Sequence, residues 1–441
     1  NLCTLTHVPL RYALLAPPTL NQPDMTHSEK VIPSDDRQIL RDLAKRVAEI
    51  AAHPVMEQRA DLWTRQASLD SERPMILAET SGVLDELIPV SELQCEDEQA
   101  RGMERGLRNR IFIHEEVSDD SVITPTIEYN WHISIGDYGV VTEKQTTEGD
   151  KKTSYRWEPP IQDLDADFDK LHMRELSVDR ESTRRQGEML EELFGDILNV
   201  RLRGNLWWTM GLTWRAVDLV GLDRLMLHMY DNPEGVHRLM TLLRDDHLNL
   251  IDWAESEELL TLNNENDYVG SGSLGYTNEL PQDDWQEGDP VRIKDLWGLS
   301  ESQETVGISP EMFAEFIFPY QLPIIEKFGM SYYGCCEPVH ARWDSIQKIP
   351  NLRRVSVSPW CDQEVMAESL GQDYIFCRKP NPAIISTENW AEDAIRADLE
   401  QTAEIAGECP LEIVMKDVHT VADEPWRLGR WVELAREVTT T

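Results

Sequence analysis

Two short stretches hold residues whose types and spacing suit chemistry: Tyr333-Gly334-Cys335-Cys336-Glu337 and Lys416-Asp417-Val418-His419. Each follows an apolar, β-rich run, so each stands where a strand passes the chain to a loop. In a parallel α/β protein the C-terminal strand ends converge, and reactive groups collect there. A soft thiolate, an imidazole and carboxylates meeting at one place would suit zinc. Cys335 and Cys336 are adjacent, so on an extended strand they point to opposite faces unless the strand has already ended. Cys336 is the favoured ligand of the two. His419 could instead cap the following helix, and Glu337, beside Pro338, could be a plain loop residue.

Other strand ends carry further candidates. Lys379 and Lys416 are two of only 11 lysines, against 31 arginines. Each could hold an anionic group or tune a nearby acid, and a salt bridge to Asp417 or Glu412 is the alternative. Arg203 could join them on a carboxylate, with Asn381 following Lys379 in the same turn. Asp417 or Glu79 could move a proton. Trp131, Trp207, Trp208 and Trp360 also follow strands and could wall an apolar pocket, although core packing explains any one of them equally well. Cys377 reads as wall rather than ligand. The loop Gly270-Ser271-Gly272-Ser273-Leu274-Gly275 could offer backbone N–H groups to an anion. It lacks the Lys-Ser/Thr of a phosphate loop and reads better as a flexible lid.

The composition narrows the function classes. The formal charge is −39 over 441 residues, which makes nucleic-acid phosphates and anionic membranes poor partners. An acidic, lysine-poor surface also suits life in high salt. No apolar run reaches the roughly 18 residues of a membrane helix. Seven cysteines, odd in number and sparse, argue against a disulfide framework and fit a reducing cytoplasm.

The elements that must position these groups can be read along the chain. Residues 1–24 read as leader sequence before Met25. Residues 25–72 form a helical arm, with apolar periodicity over 34–69, Asp35 and Asp36 as caps, and a possible contribution to a homodimer. Residues 73–441 then alternate strands with helices, with an insertion at about 130–175 that contains a hairpin at 135–160 and an acidic loop at 162–169. Strands are expected at 73–79, 123–129, 200–203, 268–270, 330–335, 353–359, 374–379 and 411–417. Helices are expected at 99–108, 179–197, 211–220, 223–230, 233–258, 310–328, 339–348, 363–370, 388–407 and 425–438. That rhythm predicts parallel packing, and eight strands are the number that closes a (β/α)8 TIM barrel. An open doubly wound sheet is the alternative, but no GxGxxG follows the first strand.

Two segments are not generic. Met229-Tyr230-Asp231-Asn232-Pro233-Glu234-Gly235-Val236-His237-Arg238-Leu239 and Ile308-Ser309-Pro310-Glu311-Met312-Phe313-Ala314-Glu315-Phe316-Ile317-Phe318-Pro319-Tyr320 resemble the uroporphyrinogen decarboxylase superfamily. That superfamily also includes zinc-dependent methyltransferases serving corrinoid proteins. The likeness runs from about residue 180 to the end, and more faintly back to residue 73. It implies a β/α barrel with its site at the C-terminal strand ends. The sequence departs from both family chemistries. The decarboxylase resembles this chain at Arg73-Pro74, but its following arginines are replaced by Ala78-Glu79-Thr80-Ser81-Gly82, and Glu79 would repel a polycarboxylate. The methyltransferase pattern His-x-Cys aligns with Gly334-Cys335-Cys336 and lacks its His, and the later Cys is replaced by Asp417 and His419 nearby. The resemblance therefore implies a rearranged ligand set of Cys336, Glu337 and His419, with Cys335 or Asp417 as alternates. Related proteins place polar site residues near Glu301 and Gln303. The function expected is zinc-dependent methyl transfer from a small methylated compound or a corrinoid on a partner protein. Metal-independent decarboxylation or lysis of a small carboxylic acid is the second expectation, and a non-catalytic ligand-binding barrel the third.

Overall fold

A computed structural model describes residues 32–142, 144–146 and 155–439, with side chains described for 32–142 and 157–439. Residues 1–31, which include the expected leader, lie outside the described residues.

Eight strands pair in parallel. They are β1 (Met75–Ala78), β2 (Thr126–Asn130), β3 (Asn199–Arg203), β4 (Trp297–Ser300), β5 (Met330–Tyr333), β6 (Leu352–Val357), β7 (Ile375–Arg378) and β8 (Leu411–Met415). Six form one sheet in the order β1-β8-β7-β6-β5-β4, and β2 pairs with β3 in a second sheet. The protein is thus mixed α/β around a six-stranded parallel sheet. Among the described residues no strand ladder joins the two sheets, so hydrogen bonding does not close the expected barrel. Both faces of the sheet are buried, as parallel strands require. Ile76, Ala78, Val355, Val357, Phe376, Ile413 and Met415 pack in the larger apolar cluster with the surrounding helices. Met75, Leu77, Leu299, Tyr332, Cys377 and Val414, on the opposite face, belong to a second cluster.

That second cluster also holds the N-terminal arm. Helices α1 (Ser34–Ala51) and α2 (Pro54–Ala67) contribute Leu40, Ala44, Val47, Ile50 and Trp63, packed with α3 (Glu98–Phe112) and α4 (Arg180–Phe194). The arm's apolar stripe is therefore satisfied within its own chain. The helix breaks at His53, whose ring accepts from the Val55 amide, with Pro54 in the first turn. Asp36 does not cap α1 as expected. It is buried and accepts from the Glu96 and Asp97 amides, tying α1 to the turn before α3.

The two motif segments form caps as their residue types predict. Asn232 accepts from the Gly235 amide at the start of α5 (Pro233–Ser256), and Ser309 accepts from the Met312 amide ahead of helix Pro310–Phe316. The expected single helix over 310–328 is two short ones, Pro310–Phe316 and Phe318–Ile325, divided at Ile317.

One strand was misplaced by the sequence reading. Tyr268–Val269 pairs antiparallel with Ser273–Leu274 and does not enter the parallel sheet. The parallel strand is β4, in a stretch where the sequence reading placed neither a strand nor a helix. Its sequence, Trp-Gly-Leu-Ser, has weak β propensity, but all four residues are buried. A Cβ at Gly298 would stand 2.5 Å from the Phe328 ring, so tertiary packing rather than propensity sets this strand. The insertion carries antiparallel pairs Ile133–Ile135 with Leu176–Val178 and Lys144–Thr146 with Tyr155–Trp157. Among the described residues no helix is long and apolar enough to cross a membrane.

Candidate active site

The end of β5 resolves the question of the adjacent cysteines. The strand stops at Tyr333, and Gly334 takes a φ of +95°, where a Cβ would press on Ser356. This turn cancels the strand's alternation. The Cys335 and Cys336 sulfurs lie 3.6 Å apart instead of facing opposite sides. Asp417, two residues past β8, has a φ of +58°, a left-handed conformation that Asp tolerates better than most residues. Its carboxylate lies 3.8 Å from Cys336 Sγ and 4.0 Å from Lys416 Nζ.

The hairpin at residues 268–274 supplies the other half of the site. Tyr268 donates to Glu79 at 2.8 Å, the Ser271 hydroxyl donates to Cys335 Sγ at 3.3 Å, and Lys416 Nζ donates to Ser271 Oγ at 2.9 Å. Ser273 donates to Glu412 and stands 3.4 Å from Cys377 Sγ. Trp208 Nε1 holds the hairpin through the Gly270 carbonyl at 3.1 Å. Gly272 has a φ of +101°, and a Cβ there would lie 2.8 Å from both Glu79 Oε1 and Val414. Ser271 and Ser273 are fully buried. The expected flexible lid is thus a packed insert against the strand ends. Tyr268 and Ser271 were not among the expected site residues, although the Gly-Ser repeat marked the segment.

Electrostatics separates the two thiols. The hydrogen bond from Cys336 pulls Cys335 below the ordinary thiol value, with Lys416 acting the same way against burial. The same bond, then burial and the charge on Cys335, push Cys336 well above it. Cys335 is therefore the more acidic thiol of the pair and Cys336 the less acidic. Burial alone would lower Lys416, but Tyr268, Glu79, Cys335 and Asp417 outweigh it and hold the ammonium well above its usual range.

Glu337 is buried and fully used. Its two oxygens accept from the Ser302 amide at 2.8 Å and the Cys335 amide at 2.9 Å. It shapes the turn that presents the cysteines. His419 is exposed. Among the described residues, no group of three or more His, Cys, Asp or Glu is placed to hold a metal ion. The expected ligands Cys336, Glu337, His419 and Cys335 thus do not form such a group.

Glu301 is buried beneath these turns. Its oxygens contact the Thr209 hydroxyl at 3.4 Å and the Gln303 amide at 3.0 Å. Burial, with Glu304 and Glu337 beside it, pushes its carboxyl well above the usual range. Burial likewise raises Glu304 to about 7, against the bond from Thr213. Gln303 is buried and opens a short 3-10 turn.

Other candidates sit elsewhere or are otherwise engaged. Arg203 is buried, pairs with Asp267 and donates to the Leu262 carbonyl. Trp131 donates to the Leu259 carbonyl and lies under Arg180. Trp207 packs edge-on to Phe328. Asn381 is exposed and caps the Ala383 amide. Trp360 is 68% exposed at the turn after β6. Two surface clefts, of about 530 and 350 Å³, are lined by residues other than these strand-end groups.

No family model and no curated protein matches the sequence. Among solved structures the chain is similar to a methyltransferase from Methanosarcina mazei, at 12% identity over 87% of this chain and 98% of that one, with a TM-score of 0.47. It is also similar to a protein assigned as a vitamin-B12-independent methionine synthase from Listeria monocytogenes, at 11% identity over 83% and 96%, with a TM-score of 0.32. Likenesses this distant carry no argument about chemistry.

Proposed function

We propose that the protein is a methyl-transfer enzyme of the uroporphyrinogen decarboxylase kind. In this reading the eight parallel strands complete a (β/α)8 barrel, and the substrate is a small methylated compound or a corrinoid on a partner protein. The observation that carries the reading is the thiol pair Cys335 and Cys336, with sulfurs 3.6 Å apart beside Lys416. A thiolate is a soft nucleophile suited to a methyl group. The Cys335 sulfur pair forms the S–C bond as the donor–methyl bond breaks, and the donor keeps the electrons of that bond. Lys416 acts through Ser271 to hold negative charge on Cys335. Burial of all three groups keeps water out and strengthens that attraction. Asp417 sets the charge around Cys336 and Lys416.

Zinc rests on donor chemistry alone. Cys335, Cys336 and Asp417 are the groups it would use, since Glu337 is engaged. As they stand they do not form a metal-holding group, and no step is routed through a metal. Metal analysis of folded protein purified without chelator decides the point: one zinc per chain that Cys336→Ala removes supports a metal role, and a metal-free active chain removes it.

The methyl-transfer reading is tested with free methylcobalamin as donor. Its demethylation is followed by absorbance, and the methylated sulfur by mass spectrometry. We expect Cys335→Ala to slow transfer by at least 100-fold while the fold is retained. An unchanged rate in that variant would sink the assignment. Glu301 favours a second reading, proton delivery in a decarboxylase or lyase, because burial beside Glu304 and Glu337 pushes its carboxyl well above the usual range. That reading predicts activity on a small acid that survives Cys335→Ala.

A further inference from the structure

Lys379 is the buried charge that the chemistry above does not use. Its side chain follows β7 and is 4% exposed. The ammonium donates to Cys377 Sγ at 2.8 Å and lies 5.7 Å from the centre of the Tyr332 ring. Among the described residues no carboxylate comes within ion-pair distance of it, whereas Lys416 has Asp417 at 4.0 Å. Cys377 does not supply the missing charge, because burial pushes its thiol up and keeps it neutral. Glu412, the nearest acid on the neighbouring strand, is already matched by Arg354 at 2.9 Å and by Ser273.

A second observation points to the same place. The Tyr332 hydroxyl is fully buried and, among the described residues, completes no hydrogen bond, with Cys377 and Ser356 as its polar neighbours. Tyr332 and Arg354 are register partners on β5 and β6, and one Arg354 guanidinium nitrogen is also unmet. An ammonium and a phenol with spare donors therefore stand together in the interior, on strands whose ends carry the thiol pair. A buried cation without a counter-charge is costly, and a buried donor left unmet adds to that. An oxyanion would satisfy both. In a chain of charge −39 the overall field repels anions, so an anionic ligand needs a local cation of this kind.

Resting on the methyl-transfer reading for the location of the chemistry, we propose that Lys379, with the Tyr332 hydroxyl beside it, binds the anionic end of the substrate. The substrate class is then a small carboxylate or comparable oxyanion carrying the reacting group at its other end.

The test uses the full chain and isothermal titration with methoxyacetate, and with its neutral counterpart methoxyacetamide. Wild type is expected to bind the carboxylate at least tenfold more tightly than the amide. Lys379→Met should abolish that preference, Lys379→Arg should keep most of it, and Tyr332→Phe should weaken the carboxylate several-fold. Circular dichroism checks that each variant folds. The proposal is overturned if wild type fails to bind the carboxylate or does not prefer it to the amide. Undiminished carboxylate binding in folded Lys379→Met also overturns it. Methylcobalamin demethylation is read in the same variants. Transfer that persists without carboxylate preference rejects this subsite alone, whereas carboxylate preference without transfer rejects the methyl-transfer reading alone.

Discussion

At the scale of single residues, the site depends on which groups carry charge in the dark of the fold. Cys335 and Cys336 are chemically identical, yet their mutual contact lowers the pKa of one and raises that of the other. Glu304 offers a pH test independent of catalysis. Burial raises its folded pKa from 4.5 to about 7, so between those values the folded state binds more protons than the unfolded state. Stability therefore falls as pH rises through that window. The expected loss is on the order of 1–3 kcal/mol. Chemical denaturation at pH 5 and pH 8 should show it, and Glu304→Gln should flatten it. Equal slopes in both proteins would remove Glu304 as the cause. The residue types at the strand ends were legible in the sequence, and Cys335, Cys336, Lys416 and Asp417 stand close together there. Tyr268 and Ser271 were not legible, because nothing local distinguishes a packed serine from a loop serine.

At the scale of elements, the hairpin at 268–274 organises the centre. It touches Glu79, Cys335, Lys416, Cys377 and Glu412 through three side chains. Gly272 lets it approach, so Gly272→Ala should destabilise the protein by about 2 kcal/mol or more. It should also lower methyl transfer, as thermal denaturation and the cobalamin assay would show. A neutral effect on both would mean the hairpin is not a fitted insert. Most helices and seven of the expected strands lie where periodicity put them. The failure at 268–270 has a physical cause. Tyr-Val-Gly has the side chains of a strand, whereas β4 is held by burial on both faces despite Gly298 and Ser300.

At the scale of the whole molecule, charge and core work against each other. A net charge of −39 creates self-repulsion that the two apolar clusters must outweigh. Raising sodium chloride from about 0.1 M to about 1 M shortens the screening length from about 10 Å to about 3 Å. The melting temperature should then rise by about 5 °C or more, read by differential scanning calorimetry. A flat or falling curve would show that local ion pairs, such as Arg41–Asp196 and Arg430–Glu392, already absorb the repulsion. The arm belongs to this scale as well. Its periodicity predicted helices, but not that their apolar side would join one apolar cluster with a face of the sheet.

The sequence by itself determined the β/α rhythm, the helix cap at Ser309, the acidic surface and the strand ends on which reactive side chains stand. Those properties depend on neighbours within a few positions, through side-chain period and backbone preference. Tertiary structure alone decided the partners. Ser271 meets Cys335 across 64 positions, and Cys336 meets Asp417 across 81. It turned Glu337 into a clamp on two amides and, among the described residues, left Lys379 without an opposite charge. Such meetings depend on how separate elements stack and on what burial does to each charge, and no local pattern encodes either.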